Sequence, residues 1–177
     1  MRAFRERLFV HVRHIIVSPS QVKSPMWNNV EKIAGVLAGE KAKRGKVKLG
    51  SREVSSARDL ELVVQEGLPL ESVDVTIEHI FPHNPAARYQ IVPRATLSRR
   101  LKNGERLSYE ESEKLQRVAR IFAMALDVWE SDEDAQEFMA KPHPMLDDRS
   151  PFEASLSEIG AREVESILGR LLFGSAA

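Results

Sequence analysis

The run SYEESEKLQRVARIFAMALDVW at 108–129 constrains everything around it. Ser108 and Glu111 have the spacing of a capping box, in which serine and glutamate each satisfy the other's backbone N–H at the start of a helix. From there Leu115, Val118, Phe122, Ala125, Leu126 and Trp129 share one face. Ile121, Met124 and Val128 make the second half apolar on the other side as well. A helix with one apolar stripe lies on a surface, whereas one apolar on two sides has to be covered from both. The rest of the chain must therefore supply layers on either side of this helix.

The flanking sequence supplies more helices. Asn29 can cap a short one in which Val30, Ile33, Val36 and Leu37 share a face, with Gly39 near its stop. Ser56 stands three residues before Asp59 as a weakened capping box, ahead of Leu60, Val63 and Val64, and Gly67 is placed to end that helix. Leu70, Val73, Ile77 and Ile80 recur at steps of three, four and three, which predicts a helix over 69–81 that Pro82 stops. Asn84-Pro85 and Val92-Pro93 open two short helices, over 83–91 and 93–103. Asp132 caps a helix ending near Lys141-Pro142, and Pro142, Pro144 and Pro151 mark irregular chain. Ser157 begins a last helix carrying Ala161, Val164, Leu168 and Leu171, with Ile167 beside them. No stretch alternates with period two for long enough to name a strand, so the expected fold class is all-α.

The 177 residues contain no cysteine, hence no disulfide and no thiolate chemistry, which fits the reducing cytoplasm where this chain is expected to act. No apolar run approaches the roughly 20 residues of a membrane span. The basic opening MRAFRERLFVHVRHIIV is broken by His11, Arg13 and His14 and makes a poor signal peptide. The expected organisation is a flexible arm at 1–27, a short helix and basic linker at 28–57, a helix-turn-helix domain at 58–107 and a helical domain at 108–177. KAKRGKVKLGSR at 41–52 reads as a solvated linker, with phosphate contact as the second reading. The net charge of zero hides a division. Residues 1–126 hold 22 Lys and Arg against 14 Asp and Glu, and residues 127–177 hold 4 against 12. Two kinds of partner are one reading of this division, and two solvated surfaces with no partner are the other.

Three short helices in succession at 69–81, 83–91 and 93–103 have the outline of a helix-turn-helix, although Ile91 stands where glycine often makes the bend. In the last of them Leu97 and Leu101, four apart, are expected to bury one side. Arg94, Thr96, Ser98, Arg99, Arg100 and Lys102 lie around the rest, and Arg88 and Arg106 extend the positive surface. Such a helix can grip guanine edges through arginine forks and phosphates through lysine and hydroxyl groups. The competing reading is a solvated basic face.

An enzyme is less well supported. His79 and His83 are four apart beside Glu78, but Pro82 breaks the helix that would align them and no third metal ligand is near. Gly35, Gly39, Gly45 and Gly50 fall in no phosphate-loop order. No activated nucleophile or paired acid stands out. The expectation is no catalysis, no metal and no cofactor.

Two stretches, IVPRATLSRRLKNGERLSYEESEKLQRVARIFAMALDVW (91–129) and FMAKPHPMLDDRSPFEASLSEIGAREVESILGRLLFG (138–174), resemble antitoxins of the Xre/MbcA/ParS type, the partners of RES-domain toxins. The similarity extends over about 58–174. It implies a central helix-turn-helix that binds operator DNA, a C-terminal helical toxin-binding domain, and self-association as a homodimer or a larger complex with toxin. In that family the toxin consumes NAD⁺ and the antitoxin blocks the mouth of its active site. By position the toxin contact falls on Leu168, Arg170, Leu171, Phe173 and Gly174, with Pro142, Leu146, Ser150 and Pro151 as supporting loop. Asp147-Asp148 stands where relatives tend to carry glycine, and Pro85 in the second helix is a further departure. The alternative is a helix-turn-helix repressor whose C-terminal part only dimerises.

Overall fold

The computed structural model describes residues 30–39 and 46–174. The expected arm at 1–27, and Lys41, Lys43 and Arg44 of the basic segment, lie outside the described residues. Helix α1 (Val30–Ala38) leads to a two-stranded antiparallel hairpin, β1 (Val47–Leu49) and β2 (Arg52–Val54). Then come α2 (Ala57–Glu66), α3 (Glu71–Ile80), a 3-10 turn (Pro85–Ala87), α4 (Arg88–Ile91) and α5 (Arg94–Asn103). The long α6 (Tyr109–Trp129) is followed by α7 (Asp132–Ala140), a 3-10 turn (Pro144–Leu146), α8 (Pro151–Ser155) and α9 (Glu158–Phe173). The all-α class holds, with one small hairpin added. No described helix is long and apolar enough to cross a membrane.

The caps explain most of these boundaries. Ser56 accepts from the Asp59 N–H, Ser108 and Glu111 form both halves of a capping box, and Ser157 accepts from the Gly160 N–H. Each such cap is worth about 1 kcal/mol of helix stability. Ser131, not Asp132, caps α7. The chain around Pro151, expected to be irregular, forms α8, because Ser150 and Glu153 make a second capping box and proline suits a first helical position.

Helix α6 is the axis of the molecule. It packs against α1, α2, α3 and α4 on one side and α7, α8 and α9 on the other, and Leu115, Val118, Ile121, Phe122 and Ala125 are fully buried. The Ser112 hydroxyl, also buried, accepts from the Leu68 N–H at 2.8 Å and ties the α2–α3 turn to α6. Gly67 closes that turn at φ 90°, where a Cβ would collide with the Leu107 carbonyl oxygen. Leu107 N–H in turn donates to the Leu68 carbonyl at 3.1 Å, so the two turns are laced together.

Part of the basic segment read as linker is the hairpin. Val47 faces Val54 across the pair, both are buried with Leu49, and Lys48 and Glu53 point outward. Lys46 pairs with Glu53, and Arg52 grips the Glu66 carboxylate at the end of α2. Strands of three residues leave no periodicity for a window to register, which is why they escape a sequence reading.

Candidate functional site

Helix α5 contributes no buried residue to the core. Leu97 is half-buried against it, but Leu101, expected beside Leu97 on the inner side, is 73% exposed. A polar clamp takes the place of the missing apolar contact. Arg100 bends inward, donates to the Arg106 carbonyl at 2.8 Å and pairs with Glu111 of the α6 capping box at 3.0 Å. Glu105 lies 3.5 Å from the same guanidinium. Gly104 ends α5 in the left-handed conformation, its N–H returning to the Arg100 carbonyl. The Asn103 amide donates to Glu105 at 2.7 Å, and this bond, with Arg99 and Arg100 alongside, holds the Glu105 carboxyl below its usual range.

The cations named from the sequence therefore divide. Arg94, Ser98, Arg99 and Lys102 are exposed on α5, and Thr96 is half-buried. Arg99 pairs with Glu105 at 2.9 Å, while Lys102 has no ion-pair partner among the described residues. Arg100 is drawn into the clamp, and Arg106 donates to the Gly67 carbonyl at 2.6 Å. Arg88 pairs with Asp74 at 2.8 Å, and its guanidinium and that of Arg94 lie 5.1 and 5.7 Å from the centre of the Tyr89 ring. Tyr89, which the sequence reading passed over, thus holds two of the cations. The turn before α5 needs no glycine: Val92 is extended at φ −128° and Ile91 is buried. The result is a short, cationic helix standing proud of the core.

A second surface lies on α9. Ala161, Val164 and Leu168 bury one face of α9, and Gly160 lets the helix start directly against the Ala154 carbonyl, where a Cβ would not fit. The opposite face is open. Ile159, Arg162, Glu163, Ser166 and Arg170, with Ile167 at the edge, form a shallow groove with Met145 of the preceding loop. Ile159 is 76% exposed, and Met145 and Phe173 are 56% exposed each.

The loop carrying Met145 is pinned from within. Leu146 is fully buried, His143 N–H donates to the Arg149 carbonyl at 3.0 Å, and Arg149 reaches Glu163 on α9 at 3.3 Å. Of the residues named for a partner, Pro142, Arg170, Phe173 and Gly174 are exposed and Leu171 is half-buried. Leu146, Ser150, Pro151 and Leu168 are buried, so they shape this surface instead of touching its occupant. Met145 and Ile159 were missed. Ile159 had a signal, since it falls outside the 161, 164, 168, 171 stripe. Among the described residues no three His, Asp or Glu side chains gather as a metal site; His79 packs its ring edge-on against Phe122 instead, at 5.0 Å.

Residues 124–174 match the family described as the antitoxin Xre/MbcA/ParS C-terminal toxin-binding domain. The chain is also similar to proteins named antitoxin Xre. That of Yersinia enterocolitica is 35% identical over 108 residues, covering 58% of this chain and 73% of the relative. Those of Pseudomonas putida and Photorhabdus laumondii are 31% identical over 90 residues and 28% over 122. The matched segments are 51% of this chain and 57% of the Pseudomonas protein, and 68% and 82% for the Photorhabdus one.

Proposed function

This chain belongs to the Xre antitoxin family, and on that premise we propose that it neutralises a cognate RES-domain, NAD⁺-degrading toxin and binds operator DNA to control its own synthesis. The toxin contact is assigned to the open face of α9 with its tail and the Met145 loop, which plug the mouth of the toxin's active site. The observation that carries this reading is a coincidence. The stretch matched to a toxin-binding domain ends in the helix that leaves Ile159 and Phe173 exposed on either side of Arg162 and Arg170. Exposed apolar groups flanked by arginine are the composition of binding hot spots.

Operator binding is assigned to α5, which turns Arg94, Arg99 and Lys102 outward and has no acidic residue within the helix. A dimer placing two such helices about one helical turn apart would read repeated half-sites.

The test is protection of growing cells. Co-expression with a cognate RES-domain toxin should be survivable with the wild type and lethal with Ile159→Glu combined with Phe173→Glu. Both side chains are exposed, so the double variant keeps its fold, which circular dichroism verifies. Undiminished protection by the folded double variant would reject the α9 face as the toxin contact.

A further inference from the structure

We propose that Leu101 reads the 5-methyl group of a thymine in the major groove, making it a determinant of which operator sequence this protein selects. The inference rests on the DNA-binding reading of α5 and adds to it the base that is read.

One leucine of α5 is in the wrong place for packing. Leu97 and Leu101 are one turn apart, yet Leu97 is half-buried and Leu101 is 73% exposed. The helix is rotated so that Leu97 and Arg100 face the body of the protein, and the Arg100 clamp to Glu111 and to the Arg106 carbonyl fixes that rotation. Leu101 is thereby turned onto the strip it shares with Arg94 and Ser98. These residues are separated by four and three positions, and so lie along one line of a 3.6-residue helix. All three are exposed, and Lys102 is the next residue beside the strip.

The surroundings decide what can cover this leucine. No acidic residue occurs among the ten of α5, and the carboxylates that neutralise Arg99 and Arg100 sit behind its C-terminal end, on Glu105 and Glu111. An occupant must offer negative charge to Arg94 and Lys102 and an apolar group to Leu101 within one helix width. Duplex DNA offers both: phosphates along the groove walls, and in the major groove the thymine 5-methyl, which apolar side chains contact directly. Ser98, one turn before Leu101, is placed to bond the edge of the neighbouring base pair.

The experiment uses the full chain and a duplex that it selects from a random-sequence pool. Each thymine of the selected site is replaced in turn by deoxyuridine, which removes only the methyl group. The wild type should lose about fourfold in affinity at one thymine per half-site, the equivalent of one buried methyl. Leu101→Ala should bind the parent duplex several-fold more weakly and be indifferent to deoxyuridine at that position, whereas Leu101→Met should keep the sensitivity. Uniform tolerance of deoxyuridine by the wild type, or the same methyl sensitivity in Leu101→Ala, would overturn the assignment while leaving DNA binding standing. So would a Leu101→Ala protein that binds every duplex normally but loses self-association. Failure of the wild type to select any duplex would remove the DNA reading itself, and this inference with it.

Discussion

The imidazole of His143 accepts the Met145 N–H at Nδ1, at 3.2 Å, and so caps the 3-10 turn that presents Met145 beside α9. Burial lowers its pKa below the ordinary 6.5. The folded protein therefore takes up this proton less readily than the unfolded chain. The ring's contribution to stability is complete above about pH 6.5 and falls away as pH drops through 6.5 toward the lower folded value. His143→Asn keeps an acceptor for the N–H two residues on and removes the titration. Urea midpoints measured at pH 7.5 and 5.5 should show a smaller acid loss in the variant than in the wild type; equal losses would refute this role. The two residues after the turn, Asp147 and Asp148, both adopt positive φ, at 54° and 58°. Left-handed backbone costs a residue with a Cβ about 1–2 kcal/mol, a cost that glycine at either position would avoid.

At the scale of elements, α5 separates two jobs that look alike in the sequence. Arg99 and Arg100 are adjacent arginines, but one faces water and the other is drawn into a part-buried pair with Glu111. Arg100→Ala should lower the unfolding free energy by about 2 kcal/mol, through loss of charged hydrogen bonds that the core does not replace. Arg99→Ala should stay within about 0.5 kcal/mol of wild type, because its pair with Glu105 is exposed. On operator DNA, Arg99→Ala should weaken specific binding by about 1–3 kcal/mol. Arg94→Ala and Lys102→Ala should each make the salt dependence of affinity shallower by about one unit of slope if those side chains hold phosphates. Denaturant titrations and salt-dependent shift assays would expose a reversal of these roles.

For the whole molecule the important fact is that α6 packs against both the helices before it and the helices after it. Leu115 and Val118 of its first half are fully buried, and the toxin-binding match begins at Met124, inside its second half. Other contacts stitch across the same line. Lys32 of α1 pairs with Asp127, Gln136 of α7 donates to the His79 carbonyl at 2.7 Å, and the Phe81 and Phe152 rings meet edge to face at 4.9 Å. The expected boundary after residue 107 is thus not a boundary of packing. Calorimetric unfolding of the full chain should show one transition, with calorimetric and van't Hoff enthalpies equal. Two resolved transitions would mean that the halves fold on their own.

What the sequence determined by itself was local. The capping residues Ser56, Ser108 and Ser157, the glycine stop at Gly67 and the stripes of α3, α6 and α9 are read from neighbours within one or two turns, and the structure bears them out. The double apolar face of α6 even announced a helix covered from both sides. What only the tertiary structure decided was rotation and company. Which way α5 turns depends on Glu111, eleven residues beyond Arg100 and in another helix, so Leu101 could not be told from a core leucine by spacing alone. The same holds for Leu146 and Leu168, which are sealed inside while Met145 and Ile159 face water. Periodicity reports that a helix has an apolar face, but burial is settled by whichever elements arrive to cover it.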